Sequence, residues 1–154
     1  MKKVENYMYQ GVKWSAVVLF VIMIGLCILQ VVCRYVLKIS LSFTEELARF
    51  LFIWVTFLGT AMAMKKHQHV NMDLLVHLFP ESVQRVVNLI VTLFVECTYL
   101  MMVYSGVRVM MKTTSQTSPA MNLPMAVVYA AVPVSMLIMA FFQICEFAER
   151  GNQK

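Results

Sequence analysis

Charge is what this sequence has least of. Only 13 of its 154 residues are Lys or Arg and 8 are Asp or Glu, so 14% are charged, against about 25% in an average soluble domain. A soluble domain of this size needs more charge than that to cover its surface, which argues against a soluble enzyme. Disorder is excluded from the other side, because disordered chains are poor in apolar residues and here they make up 60%. The chain also lacks a phosphate loop, a nucleophile triad, a nucleic-acid patch, a C-x-x-C pair, an internal repeat and any low-complexity tract. What is left is a small, all-α, membrane-embedded protein forming a single membrane domain over residues 1–154.

Four apolar runs carry that reading. About 20 helical residues cross a hydrocarbon core of about 30 Å. Residues 14–33 and 125–145 hold no charge, and residues 86–107 hold one acid, Glu96. The second run, 50–64, is short, and it reaches full length when the helix starts near Phe43 and leaves Glu45, Glu46 and Arg49 in the headgroup zone. None of the runs alternates with period two, so helices are expected and not barrel strands. The expected spans are approximately 14–34, 43–64, 84–108 and 124–146. Ser42-Phe43-Thr44-Glu45 reads as a capping box, and Glu45 precedes Arg49 by four, the favourable order for a helical ion pair. Pro124 fits a first helical turn, and Pro133 predicts a kink inside the fourth span.

The first run is too long for a signal-peptide core of roughly 7–15 residues, and no small-x-small site follows it, so it is read as a retained helix. With the N-terminus inside, Lys2, Lys3, Lys13, Lys65, Lys66, Arg85, Arg150 and Lys154 fall inside, and Arg34, Lys38, Arg49, Arg108 and Lys112 fall outside. The positive-inside rule thus favours cytoplasmic termini.

Between spans two and three, His69, Asp73 and His77 recur every four residues with apolar neighbours on the rest of the circumference. Too short to cross a bilayer, residues 69–79 read as an interfacial amphipathic helix. The outer two histidines would stand about 12 Å apart along the axis, and one His–Asp pair is too few for zinc, so no metal is expected. A haem would need histidines inside facing spans, and there are none. Cys27, Cys33, Cys97 and Cys145 read as small packing residues.

Glu96 is the intramembrane polar residue, in line with Arg85, Asn88, Thr92 and Tyr99 at helical spacing. An ionisable group there costs at least about 2.5–3.5 kcal/mol on insertion scales and is a functional candidate by default. Either it carries a proton or cation, or it is hydrogen-bonded for packing, for instance to Gln143 or Tyr129. Small-xxx-small pairs such as Gly59/Ala63 mark possible close helix approaches.

Taken together, Arg34-Tyr35, the run Ser42-Phe43-Thr44-Glu45-Glu46-Leu47-Ala48-Arg49, then Phe52, Trp54, Phe57-Leu58-Gly59 and His69-Val70-Asn71-Met72-Asp73, followed by Leu123-Pro124, Tyr129 and Pro133, resemble the small membrane subunit of TRAP (tripartite ATP-independent periplasmic) transporters, the DctQ-like family. Phe43 departs from the usual Trp. The resemblance implies a scaffold subunit in the bacterial inner membrane. It would pair with a large M-type subunit that holds the substrate and sodium sites, and with a periplasmic P-type binding protein. It further implies sodium-driven import of an organic acid: a C4-dicarboxylate, a sialic acid or a related carboxylate. No catalytic residue, cofactor or substrate contact is expected on this chain. Partner-interface candidates are Arg34, Glu45, Glu46, Arg49, Trp54, Gly59, His69 and Asp73, with Glu45, Glu46 and Arg49 either contacting a partner or only stabilising helix two. The competing readings are a self-sufficient four-helix cation or drug exporter titrating Glu96, and a membrane anchor for a redox enzyme.

Overall fold

The computed structural model describes residues 2–39, 41–67 and 81–151, most of them with their side chains. Its helices are α1 (Lys2–Tyr35), α2 (Ser42–His67), α3 (Glu81–Lys112), the single turn α4 (Ala126–Tyr129) and α5 (Ala131–Gly151). Four segments are long and apolar enough to cross a membrane: Glu5–Tyr35, Ser42–Lys65, Leu89–Lys112 and Ala126–Cys145. These are the four spans anticipated from the apolar runs. The expected interfacial helix at 69–79 lies outside the described residues.

The helices stand in a row. α1 packs on α2, α2 on α5, and α5 on α3. The core sits where the last three meet, with Ala61, Met136 and Met139 enclosed by Phe57, Met64, Tyr99 and Val103. Phe142 and Ala131 on α5 are fully buried. Elsewhere large apolar side chains point outward, Phe94 at 73% and Met101 at 71% exposure among them. In water such a surface would drive association; hydrocarbon is as apolar as these side chains, so in a bilayer there is nothing to drive it.

Threonines inside the spans need no partner helix, because their hydroxyls bond back along their own helix. Thr56 donates to the Phe52 carbonyl, Thr60 to Thr56 and Thr98 to Phe94, at 2.8–2.9 Å. At the end of α3, the Thr113 and Thr114 hydroxyls donate to the Val109 and Met110 carbonyls, and the Val109 carbonyl also accepts the Thr113 backbone N–H at 3.0 Å.

The regular helix of the fourth span begins at Ala126, with the Pro124 carbonyl accepting the Val127 N–H at 3.1 Å just before it, and the ladder breaks between α4 and α5 at Ala130. Pro133 is the cause: without an N–H it cannot bond the Tyr129 carbonyl one turn back. Ala130 keeps helical angles, φ −61° and ψ −22°, so the span continues through the break. The buried Pro133 ring rests against α3 at Gly106, where a Cβ would stand 2.9 Å from Pro133 Cδ.

A polar tie closes the end that carries the termini. The Lys65 ammonium pairs with Glu5 at 3.2 Å, lies 4.7 Å from the centre of the Tyr9 ring and 5.3 Å from that of Phe142. Glu5 and Tyr9 can reach it because α1 is helical from Lys2, well before the expected start at residue 14.

Gly106→Ala is expected to force α3 and α5 apart and lower stability in detergent by about 1–3 kcal/mol, as overpacking does. Gly59→Ala meets nothing within 4 Å and is expected to leave stability unchanged or raise it by up to about 1 kcal/mol. Thermal unfolding of the two purified variants checks the contrast.

Candidate partner-binding surface at the loop end

The end opposite the termini is built from the start of α2 and from residues 113–125, which fold back on themselves. Ser118 N–H donates to the Leu123 carbonyl, Met125 N–H to Gln116 and Asn122 N–H to Ser118, all at 2.9–3.0 Å. The return is made at Asn122, whose φ of 53° is a conformation that asparagine tolerates better than most residues.

Glu46 fastens this loop to α2. Its Oε2 accepts the backbone N–H groups of Ala120 and Met121, each at 3.0 Å. Two turns further on, Trp54 Nε1–H donates to the Val127 carbonyl in α4 at 3.2 Å. Thus Glu46 and Trp54, both taken from the sequence as interface candidates, make long-range bonds within the chain. Glu45 and Arg49 stay exposed and pair with each other at 3.0 Å, four apart as anticipated. The Glu45 carboxylate faces Arg49, and the hydroxyl that meets a backbone group at this helix start is that of Thr44, which donates to the Leu41 carbonyl at 2.7 Å. Arg34 is exposed in the last turn of α1. A shallow depression of about 570 Å³ opens beside these groups, bounded by Leu41, Ser42, Phe43, Pro119 and Ala120.

The other candidates are not brought to this surface. Gly59 lies mid-span on α2 with open space beside it. His69 and Asp73 lie outside the described residues. Glu96 sits mid-span on α3, half-buried, and its buried Oε2 has no hydrogen-bond partner among the described residues. Gln143, an anticipated partner, donates instead to the Thr92 carbonyl at 3.1 Å, one turn before Glu96. Tyr99, one turn on, donates to Met64 Sδ at 3.2 Å. The side chains of Arg85 and Asn88, the rest of that polar stripe, lie outside the described set. Among the described residues no group of three or more His, Cys, Asp or Glu is placed to hold a metal ion.

Sequence spacing could not reveal the Glu46 latch, since its partners are backbone groups 74 and 75 residues away. The same holds for Glu5–Lys65 and for Gly106 against Pro133. The only local signal was that Glu46 stands at the start of a span beside a pair, Glu45–Arg49, that is satisfied without it.

A row of four helices, each long and apolar enough to cross a membrane, defines a multi-pass membrane protein. Residues 23–151 match the family described as "Tripartite ATP-independent periplasmic transporters, DctQ component", and the chain belongs to that family. It is 30% identical over 136 residues to the sialic acid TRAP transporter permease protein SiaT of Haemophilus influenzae, covering 88% of this chain but 22% of that one. A putative TRAP transporter small permease protein of H. influenzae is 23% identical, with 98% of this chain and 94% of its own length covered. The isethionate TRAP transporter permease protein DctMQ of Oleidesulfovibrio alaskensis is 35% identical over 100 residues, 63% of this chain and 16% of that one. The chain therefore spans about a fifth or less of the two longer permeases and nearly all of the small one.

Glu46→Ala removes an acceptor of two charge-assisted bonds, each worth about 1.5–3 kcal/mol. Amide exchange at Ala120 and Met121 is expected to quicken by at least about tenfold, with Glu46→Gln intermediate. Arg49→Ala, which breaks only an exposed pair, is expected to change stability by less than about 0.5 kcal/mol.

Proposed function

We propose that this chain is the scaffold subunit of a binding-protein-dependent secondary transporter. It pairs with a large multi-spanning membrane subunit, which holds the substrate and coupling-sodium sites, and imports an organic acid delivered by a soluble periplasmic protein. The observation that carries this reading is the share of each relative covered. In the sialic acid and isethionate permeases the matching stretch is 22% and 16% of a longer chain, as expected if this unit works alongside a larger membrane part. The four spans themselves support a bracing role. Apart from Gln143 to Thr92 and Tyr99 to Met64, which flank Glu96, the side-chain hydrogen bonds among the described residues lie near the bundle ends or bond back along one helix, which leaves little to line a substrate path. The substrate belongs with organic anions of the kind those relatives' names print, and its recognition lies on the partners.

The reading places the chain in the bacterial inner membrane with both termini cytoplasmic, in keeping with its Lys and Arg distribution. The loop end then faces the periplasm, where Arg34, Phe43, Glu45 and Arg49 form an exposed rim for a partner, and Glu46 and Trp54 hold the loop beside it. The open space at Gly59 suits close approach of a partner helix.

The test is purification of the tagged chain from its native host in mild detergent. A stoichiometric membrane protein of many spans, and organic-acid uptake that depends on both chains and on a sodium gradient, is the expected result. A lone homo-oligomer that moves cations in liposomes would overturn the proposal in favour of an exporter built on Glu96. Glu96→Gln, which keeps shape and hydrogen-bonding capacity, is expected to retain both assembly and uptake.

A further inference from the structure

One groove is used by none of the features described so far. It runs along α3 from Thr98 to Val109, with Tyr129 and Val132 as the opposite wall and Gly106 in its floor, and encloses about 480 Å³. That volume lies within the range of small-molecule sites, roughly 300–1,000 Å³. Its lining is almost wholly apolar, and Thr98 donates its hydroxyl to its own helix.

The groove's dimensions fit a lipid chain. From residue 98 to residue 109 α3 rises about 16 Å, roughly half of a 30 Å hydrocarbon core, so the groove is about one leaflet deep. A partner helix crossing the bilayer would need a matching face through both leaflets. The groove stops after one.

Charge marks its mouth. Arg108 and Lys112 follow Met101 and Ser105 by seven residues, two helical turns, and so stand on the groove's side of α3 at its loop end. Both are exposed. Among the described residues neither has a carboxylate partner; Arg108 lies 5.5 Å from the centre of the Tyr104 ring. Two cations at the headgroup level above a leaflet-deep apolar slot complement a phosphate with a hydrocarbon tail. The walls can adapt to it, since Met101 and Met102 are unbranched and flexible. An empty slot would forfeit dispersion contacts along its whole lining.

We infer that this groove is a phospholipid site, in which one acyl chain lies along α3 between Thr98 and Val109 and an anionic headgroup is met by Arg108 and Lys112. Pro133 and Gly106 shape the site, because the broken ladder at Ala130 and the close approach at Gly106 set how α4 and α5 lean on α3. The inference needs only the bilayer setting and stands apart from the transporter reading.

The test is native mass spectrometry of the full chain in non-ionic detergent, titrated with dioleoyl phosphatidylglycerol or dioleoyl phosphatidylcholine. The unaltered chain is expected to retain one phosphatidylglycerol with about tenfold preference over phosphatidylcholine. Ser105→Phe and, independently, Val109→Phe fill the groove from different points and are expected to abolish that retention, with helical content and unfolding midpoint as controls for folding. Arg108→Gln with Lys112→Gln is expected to leave a bound lipid but bring the preference to within about twofold. Equal retention by the folded Phe variants would overturn the site. An undiminished, about tenfold preference for phosphatidylglycerol after loss of both cations would overturn the headgroup assignment. A photo-crosslink from position 105 to a co-purifying membrane chain, with no lipid retained, would overturn the inference in favour of a protein occupant while leaving the transporter reading intact.

Discussion

The arrangement of the bundle depends on one close approach, that of the Pro133 ring to Gly106. Helices in hydrocarbon gain little from the hydrophobic effect when they associate, because lipid tails are as apolar as leucine; they are held by packing and by the few polar bonds they can make. Only a residue without a Cβ lets α3 come within contact of the proline. That contact seats α5 between α2 and α3, and Phe142, Met139 and Ala131 on α5 are among the most buried of the described residues. The same proline breaks the ladder at Ala130 and separates α4 from α5, and this break forms one wall of the apolar groove.

Around that central packing, α2 is fixed at both ends by polar bonds. Glu46 and Trp54 hold it to the folded loop and to α4, and Lys65 holds it to α1 beside the Phe142 ring of α5. Placing strong bonds at the two ends and apolar contacts between them follows from the medium. A buried ion pair at the bilayer centre would bear the full desolvation penalty, whereas at the ends the charged groups keep part of their hydration. The stretch around Glu96 departs from this: Glu96 is half-buried mid-span with one oxygen unsatisfied among the described residues, and the Gln143–Thr92 and Tyr99–Met64 bonds lie one turn to either side.

A bundle tied in this way is suited to bracing. It offers a rigid rim at the loop end and long apolar faces along its length, and it leaves transport chemistry to a larger partner under the proposal above. The family assignment and the geometry support that proposal from separate directions: one through the length of the related permeases, the other through the scarcity of polar groups facing the interior.

How much of this was legible beforehand depended on whether the information was local. The four spans followed from hydropathy and helical rise, the Glu45–Arg49 pair from four-residue spacing, an interruption of the fourth span from Pro133, and the family from the ordered run between Arg34 and Pro133. Each rests on residues close together in the chain, or on a bilayer thickness that does not vary with the fold. What only the tertiary structure decided was the row order of the helices, the acceptor role of Glu46, the reach of Glu5 to Lys65, the need for glycine at 106 and the groove above Thr98. These depend on which helix face meets which. In a chain whose spans are apolar nearly all round, periodicity marks no preferred face, and the choice is made by shape at contacts between residues tens of positions apart.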